Sequence, residues 1–299
     1  MPREKPTRAW RGKQTQVTTL YVSDLDGTLL TNTARLSDYS RSVLQALLAD
    51  GLKFSVASAR SVASMRNMLH GLTLELPVIE FNGAFLSDLR TGHHAVVNAL
   101  EPQIARAIFA SISRRGRTPL ISTFNGRHDC LYHDEPANEG TRWYVSDRQA
   151  HRDPRLRRST DLREALHDQV VCLTVIDRAE LLIDLEAQMT EQYGELVETH
   201  LFENAYSPGW YWLTIHDRRA TKDQAIGWLM ENCGLHGDEL IVFGDQINDI
   251  TMFRMAAQAV AVANAHPDVK RHATHFIGSN EEDSVVKYIR DHRAQSMSR

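Results

Sequence analysis

The sequence predicts an α/β protein: a doubly wound, mainly parallel, Rossmann-like sheet that carries a second, inserted α/β lobe. Three observations lead there. Short apolar runs alternate with stretches of helical period, the pattern of a parallel sheet covered by helices. Two of the apolar runs, residues 20–22 and 240–243, end on carboxylate clusters, at the strand ends where such sheets hold ligands. The rhythm of strands and helices also changes after Gly83 and resumes after about Ile215.

Element by element, residues 18–23 read as the first strand. A helix follows from Ser37, a capping residue, through Leu48 to the stop signal Asp50-Gly51. Residues 53–57 are a second strand, 61–69 a second helix, and 77–81 a third strand closed by Asn82-Gly83. A hairpin is expected over residues 85–87 and 95–97, with Thr91-Gly92 at its turn. Then come a helix over 101–115 and strands at 120–124 and 130–132. The Arg-rich stretch 148–158 reads as a solvated loop. A strand at 170–176, a helix at 179–193 and an aromatic strand at 210–215 close the inserted lobe. The first style returns with a helix from Lys222, a strand at 240–243 and a helix from Ile247. Strands at 259–262 and 275–277 and a last helix through Ile289 complete the chain.

A length of 299 residues gives room for two lobes with a sizeable core. The formal net charge of -4 gives no reason to expect nucleic acid or a membrane surface as partner, and no apolar run has the length of a membrane span. Cys130, Cys172 and Cys233 are odd in number and far apart, which fits a reducing compartment and neither a disulfide framework nor a zinc site. The basic residues 1–16 lack the apolar core of a secretory signal and read as a flexible arm. The cytoplasm is the expected location.

Chemistry concentrates in four places. Asp24-Leu25-Asp26-Gly27-Thr28 sets two carboxylates one residue apart, which can divide nucleophile and acid/base roles. An Asx turn leaving a strand would place an Asp there too. Gly244-Asp245-Gln246-Ile247-Asn248-Asp249 supplies oxygen ligands that suit magnesium, a hard cation. Ser58-Ala59-Arg60 follows the second strand, where a hydroxyl and backbone N–H groups can hold phosphate oxygens. Lys222 opens the returning helix and is the one lysine between Lys53 and Lys270 in an Arg-rich chain. Its ammonium can answer both phosphate and crowded carboxylates.

These four elements, in this order, resemble the motifs of the haloacid dehalogenase (HAD) superfamily. Asn82-Gly83-Ala84, Asn264-Ala265 and Ser279-Asn280-Glu281-Glu282-Asp283 extend the resemblance, and the place of the insertion is similar to the class IIB, Cof-like branch. The resemblance implies a HAD core at residues 17–84 and 216–299 and a cap at 85–215. It implies a phosphatase acting on a small phosphorylated metabolite, a sugar phosphate by class, as a monomer or homodimer. Asp24 is then the nucleophile that forms an aspartyl-phosphate, and Asp26 the acid/base, oriented by Thr28. Mg2+ is held by Asp24, the Asp26 carbonyl, Asp245 and Asp249. Phosphate is held by Leu25, Ser58, Ala59, Lys222 and Asn248, with Asn82 and Gly83 in support. The sequence departs from the family's usual Thr at Ser58 and usual Gly at Ala59, Asp223, Ala263 and Ser284, and none of these changes removes a required group. A sugar-phosphate mutase using the same aspartyl-phosphate is the nearest alternative; a silent binding module on the same fold is the other. In the cap, Arg127, His128, Tyr132 and Trp210-Tyr211-Trp212 are candidates to line a pocket.

Overall fold

The computed structural model describes residues 19–204, 206–235 and 239–297; the expected arm at residues 1–16 lies outside them. The described residues open on β1 (Thr19–Ser23), buried from its second residue on, as a strand covered on both faces must be. Helix α1 (Asp38–Ala49) begins where the Ser37 hydroxyl accepts the Ser40 N–H at 2.9 Å. Strand β2 (Lys53–Val56), helix α2 (Val62–Met68), capped by Ser61, and strand β3 (Val78–Glu80) follow.

The hairpin β4 (Phe85–Ser87) and β5 (His94–Val97) pairs antiparallel onto β3 and sends Leu86 and Leu89 into the core shared with β1 and β2. The boundary expected between residues 84 and 85 thus falls inside a continuous three-stranded sheet.

A second sheet, with three accompanying helices, spans α3 (Pro102–Arg114), β6 (Leu120–Phe124), β7 (Asp129–His133), α4 (Glu139–Ala150), β8 (Leu156–Arg158), β9 (Gln169–Asp177), α5 (Ala179–Tyr193), β10 (Val197–Glu203) and β11 (Tyr211–Asp217). Its strands run in the order β10-β11-β9-β6-β7-β8, antiparallel except for β7 with β8. It has its own core, with Ile108, Ile121, Leu173, Leu185, Leu213 and Ile215 among its buried side chains.

The solvated loop expected over residues 148–158 narrows to a mostly exposed turn at 151–155 between two regular elements. Arg148 lies in the last turn of α4, Leu156–Arg158 form β8, and Arg155 between them is 5% exposed, paired to Asp153 at 2.7 Å. Ion pairing, invisible in composition, is what lets an Arg-rich segment pack.

The chain returns through α6 (Lys222–Asn232), β12 (Glu239–Gly244), α7 (Ile250–Met255), β13 (Gln258–Ala261), α8 (Pro267–His272), β14 (His275–Phe276) and α9 (Ser284–Met297). The main sheet is parallel, in the order β14-β13-β12-β1-β2, and a bridge from Ala57 to Ile79 joins β3 to its edge. Leu20, Val22, Ile241 and Val242 are fully buried at its centre, each contributing about 1.5–3 kcal/mol of transfer free energy. From β1 the chain moves outward through β2, then returns on the other side at β12. The order reverses between β1 and β12, so a crevice opens beyond their carboxyl ends, where α/β sheets bind ligands. Among the described residues no helix is long and apolar enough to cross a membrane.

Candidate active site

Both acidic clusters end at that switch point. The ladder between β1 and β12 runs one bond past β1, with the Asp24 N–H donating to the Phe243 carbonyl at 2.9 Å. Asp24 therefore leaves β1 in line with the end of β12, and Asp245 follows β12 directly. A turn over Leu25–Leu29 comes next and needs Gly27 for two reasons. Its φ of 72° is left-handed, and a Cβ there would stand 2.5 Å from Asp245 Oδ2. The bare backbone lets the two clusters close on each other.

Lys222 lies between carboxylates. Its Nζ donates to Asp24 Oδ1 and to Asp249 Oδ1, each at 2.6 Å, and its side chain is fully buried. Burial works against the ammonium, but Asp24 and Asp249 outweigh it and hold it protonated. Asp24 is pushed well above the usual carboxylate range by burial, opposed by Lys222 and reinforced by Asp249 and Asp245. Asp245 is raised to about 7, by burial first and then by Asp249. Asp249 Oδ2 also accepts the N–H groups of Asp245 and Gln246, both at 2.9 Å. Asp249 thus ties the loop after β12 to Lys222.

One ligand oxygen each from Asp24, Asp245 and Asp249 lies within 4.8 Å of the others. Three carboxylates against one ammonium leave a formal excess of two negative charges when all are ionised. Buried charge of one sign calls for a counter-ion, and an oxygen-only donor set fits a hard divalent cation. The residues present therefore fit magnesium. Since Asp249 already accepts from Lys222 and two backbone N–H groups, Asp24 and Asp245 are the better placed to hold it.

Thr28 does not bond to Asp26 as expected. Its hydroxyl donates to Asp245 Oδ1 at 2.7 Å, because the turn carries it to the Asp245 side. Asp26 is instead gripped by Arg60, with Nε at 2.6 Å from Oδ2 and Nη2 at 2.7 Å from Oδ1. The Tyr206 hydroxyl adds a third bond, to Oδ1 at 2.8 Å. Arg60 stands in the Ser58-Ala59-Arg60 segment, but nothing in sequence spacing signalled its pairing with Asp26. Tyr206, in the connection between β10 and β11, carried no signal at all.

The supporting residues are linked to one another, the Asn82 N–H donating to the Ser58 carbonyl at 3.0 Å. Asn248 Nδ2 donates to Asn82 Oδ1 at 3.0 Å, with Asn82 at φ 58°, a conformation asparagine tolerates better than most residues. Gly83, at φ 120°, lets the backbone approach α6: a Cβ there would stand 2.6 Å from the Thr221 carbonyl oxygen. Ser58 is buried, and its hydroxyl accepts the Arg60 N–H at 3.1 Å. Leu25 buries its side chain in the core and Ala59 is exposed, so each offers only backbone to a ligand.

The cap candidates fare less evenly. Arg127 and His128 are exposed at the β6–β7 turn, and Tyr132 bonds Asp168 at 3.3 Å. Trp212 packs edge-on against Tyr144, ring centroids 5.0 Å apart, and Arg178 lies 3.9 Å over Trp210. The two tryptophans serve packing.

A switch-point crevice holding a buried acidic cluster and one ammonium, faced by a second lobe, defines a capped α/β enzyme of the phosphoryl-handling kind. Its family follows from comparison. Residues 21–289 match the sequence profile of the haloacid dehalogenase-like hydrolases. The chain is 23% identical over 276 residues to the 5-amino-6-(5-phospho-D-ribitylamino)uracil phosphatase of Bacillus subtilis, a match covering 91% of this chain and 97% of that protein. To the pyridoxal phosphate phosphatase of Escherichia coli it is 27% identical over 298 residues, covering 92% and 98%. A solved subclass IIB sugar phosphatase shares the fold, with a TM-score of 0.70 at 23% identity over 92% of this chain and 98% of that one. The chain belongs to the haloacid dehalogenase-like hydrolases, in the Cof-like branch. Its enzyme class is that of its named relatives, the phosphoric monoester hydrolases.

Proposed function

We propose that this hydrolase is a magnesium-dependent phosphatase that releases phosphate from a small phosphorylated metabolite, a sugar phosphate by class, through an aspartyl-phosphate on Asp24. The observation that carries this reading is Lys222, buried between Asp24 and Asp249 beside Asp245. In the first half-reaction an Asp24 oxygen attacks phosphorus, the bond to the leaving oxygen breaks, and Asp26 gives that oxygen a proton. In the second, Asp26 takes a proton from water, the water oxygen attacks phosphorus, and Asp24 departs as carboxylate. Lys222 lowers the repulsion between the carboxylate nucleophile and the phosphate.

Asp24, Asp245 and the Asp26 carbonyl would hold Mg2+, with Asp249 supporting from behind. Bound there, the cation would offset the charge that nucleophile and phosphate bring together. Ser58, Asn248 and the backbone N–H groups of Leu25 and Ala59 hold phosphate oxygens, while Asn82 and Gly83 set Asn248 and the start of α6. The same reading puts the chemistry in a core at residues 17–84 and 216–299 and substrate choice in the cap at 85–215, the β4–β5 hairpin sharing its sheet with the core.

The test is phosphate release with Mg2+ across sugar phosphates, heterocyclic phosphates such as pyridoxal phosphate, and nucleotides. Heterocyclic esters belong in the panel because two relatives are named for them. Release from the sugar phosphates above the rest supports the full reading. Preference for another group keeps the phosphatase and replaces the substrate class. Transfer of phosphate to a second hydroxyl without release would make the chain a mutase.

A further inference from the structure

Tyr206 belongs to the second lobe, in the connection between β10 and β11, yet its phenol reaches the core. Its hydroxyl donates to Asp26 Oδ1 at 2.8 Å. Burial, and then the neighbouring Asp26, hold that phenol above its ordinary range, so it stays a donor. The core supplies the other half of the grip: Arg60 bonds both Asp26 oxygens, at 2.6 and 2.7 Å. Arg60 is itself braced, by Ser64 Oγ at 3.3 Å and by the Tyr206 ring, whose centroid is 5.6 Å from the guanidinium carbon. One lobe residue thus touches both members of the Asp26–Arg60 pair.

We propose that Tyr206 is a positioning residue, through which the seating of the cap on the core sets the orientation of the Asp26 carboxyl group, with Arg60 as the fixed half of the clamp. The inference rests on the acid/base assignment of Asp26. An Asp side chain turns about two single bonds, and a proton donor misplaced by an ångström loses much of its effect. In the step concerned, Asp24 forms its bond to phosphorus and the bridging P–O bond breaks, its electron pair going to the leaving oxygen. The Asp26 proton, carried on Oδ2, which accepts one bond where Oδ1 accepts two, moves to that same oxygen. Only a leaving group that needs this proton feels the clamp.

That dependence gives the test. Tyr206→Phe removes the hydroxyl and keeps the ring over Arg60. Benzyl phosphate and p-nitrophenyl phosphate are similar in shape, but the benzyl alkoxide needs a proton to depart and the nitrophenolate does not. In single-turnover measurements with Mg2+, Tyr206→Phe is expected to slow phosphoryl transfer from benzyl phosphate by about ten- to a hundredfold. Apparent affinity should stay within about threefold and transfer from p-nitrophenyl phosphate within about twofold. Arg60→Lys, which keeps the charge and loses the fork, is expected to show the same split. An equal loss with both esters means the hydroxyl serves only packing, and no loss with either means the contact does nothing; each overturns the proposal. Asp26→Asn on the same two esters separates the layers. If it fails to discriminate between them, the acid assignment itself is wrong; if it discriminates and Tyr206→Phe does not, only the clamp falls.

Discussion

Asp24→Asn should lower phosphate release by on the order of 10⁴-fold or more and leave the fold in place. The amide has nearly the shape of the carboxylate but lacks the charge to attack phosphorus. The site tolerates it structurally for a definite reason. Asp24 is 6% exposed in a cluster with more acid than base, so a neutral amide there relieves repulsion from Asp249 and Asp245. Lys222 loses one partner and keeps Asp249 at 2.6 Å. Phosphate release and a thermal melt of the same preparation check both halves. Wild-type turnover in the variant would mean that the nucleophile is another group.

Lys222→Met is expected to do more damage, to stability as well as rate. The methionine fills much of the space but leaves Asp24 and Asp249 buried without the ammonium that bonds both. Breaking a buried pair by removing one partner costs about 3–5 kcal/mol, because the remaining charge has no compensation. The loss should shrink when Mg2+ is added, since a cation held by the native cluster supplies part of the missing positive charge. Denaturant unfolding with and without Mg2+ measures this. A variant as stable as the wild type in both conditions would show that Lys222 does not hold the cluster together.

Much of this arrangement was legible because local signals and tertiary need coincide. Leu20-Tyr21-Val22 and residues 240–243 are apolar throughout, as strands buried on both faces require, and the carboxylates follow directly. The switch point itself follows from the strand order, which alternation along the chain does not give. What escaped depends on partners far away in sequence. Strand β10 alternates charged and apolar residues only loosely, so Val197–Glu203 showed no clean period; pairing with β11 makes it a strand. Helix α4 buries little more than Gly140 and Val145, too thin a stripe to detect. The hairpin β4–β5 reads as the start of the inserted lobe because its pattern changes; it pairs with β3 and also touches the second sheet, His94 bonding Asp129 at 2.7 Å. In the site, the family resemblance assigns the Thr28 hydroxyl to Asp26. A turn with Gly27 at φ 72° sends Thr28 to Asp245 instead.

A single divalent cation held by Asp24 and Asp245 beside Lys222 is the centre of this account. The direct measurement is the rate of phosphate release against free Mg2+ after treatment with EDTA, in the wild type and in Asp245→Asn. The wild type should be inactive without the cation and recover along a saturable curve. Asp245→Asn should need at least about tenfold more Mg2+ or fail to recover. A full rate in EDTA, or the same Mg2+ curve for both proteins, would contradict it.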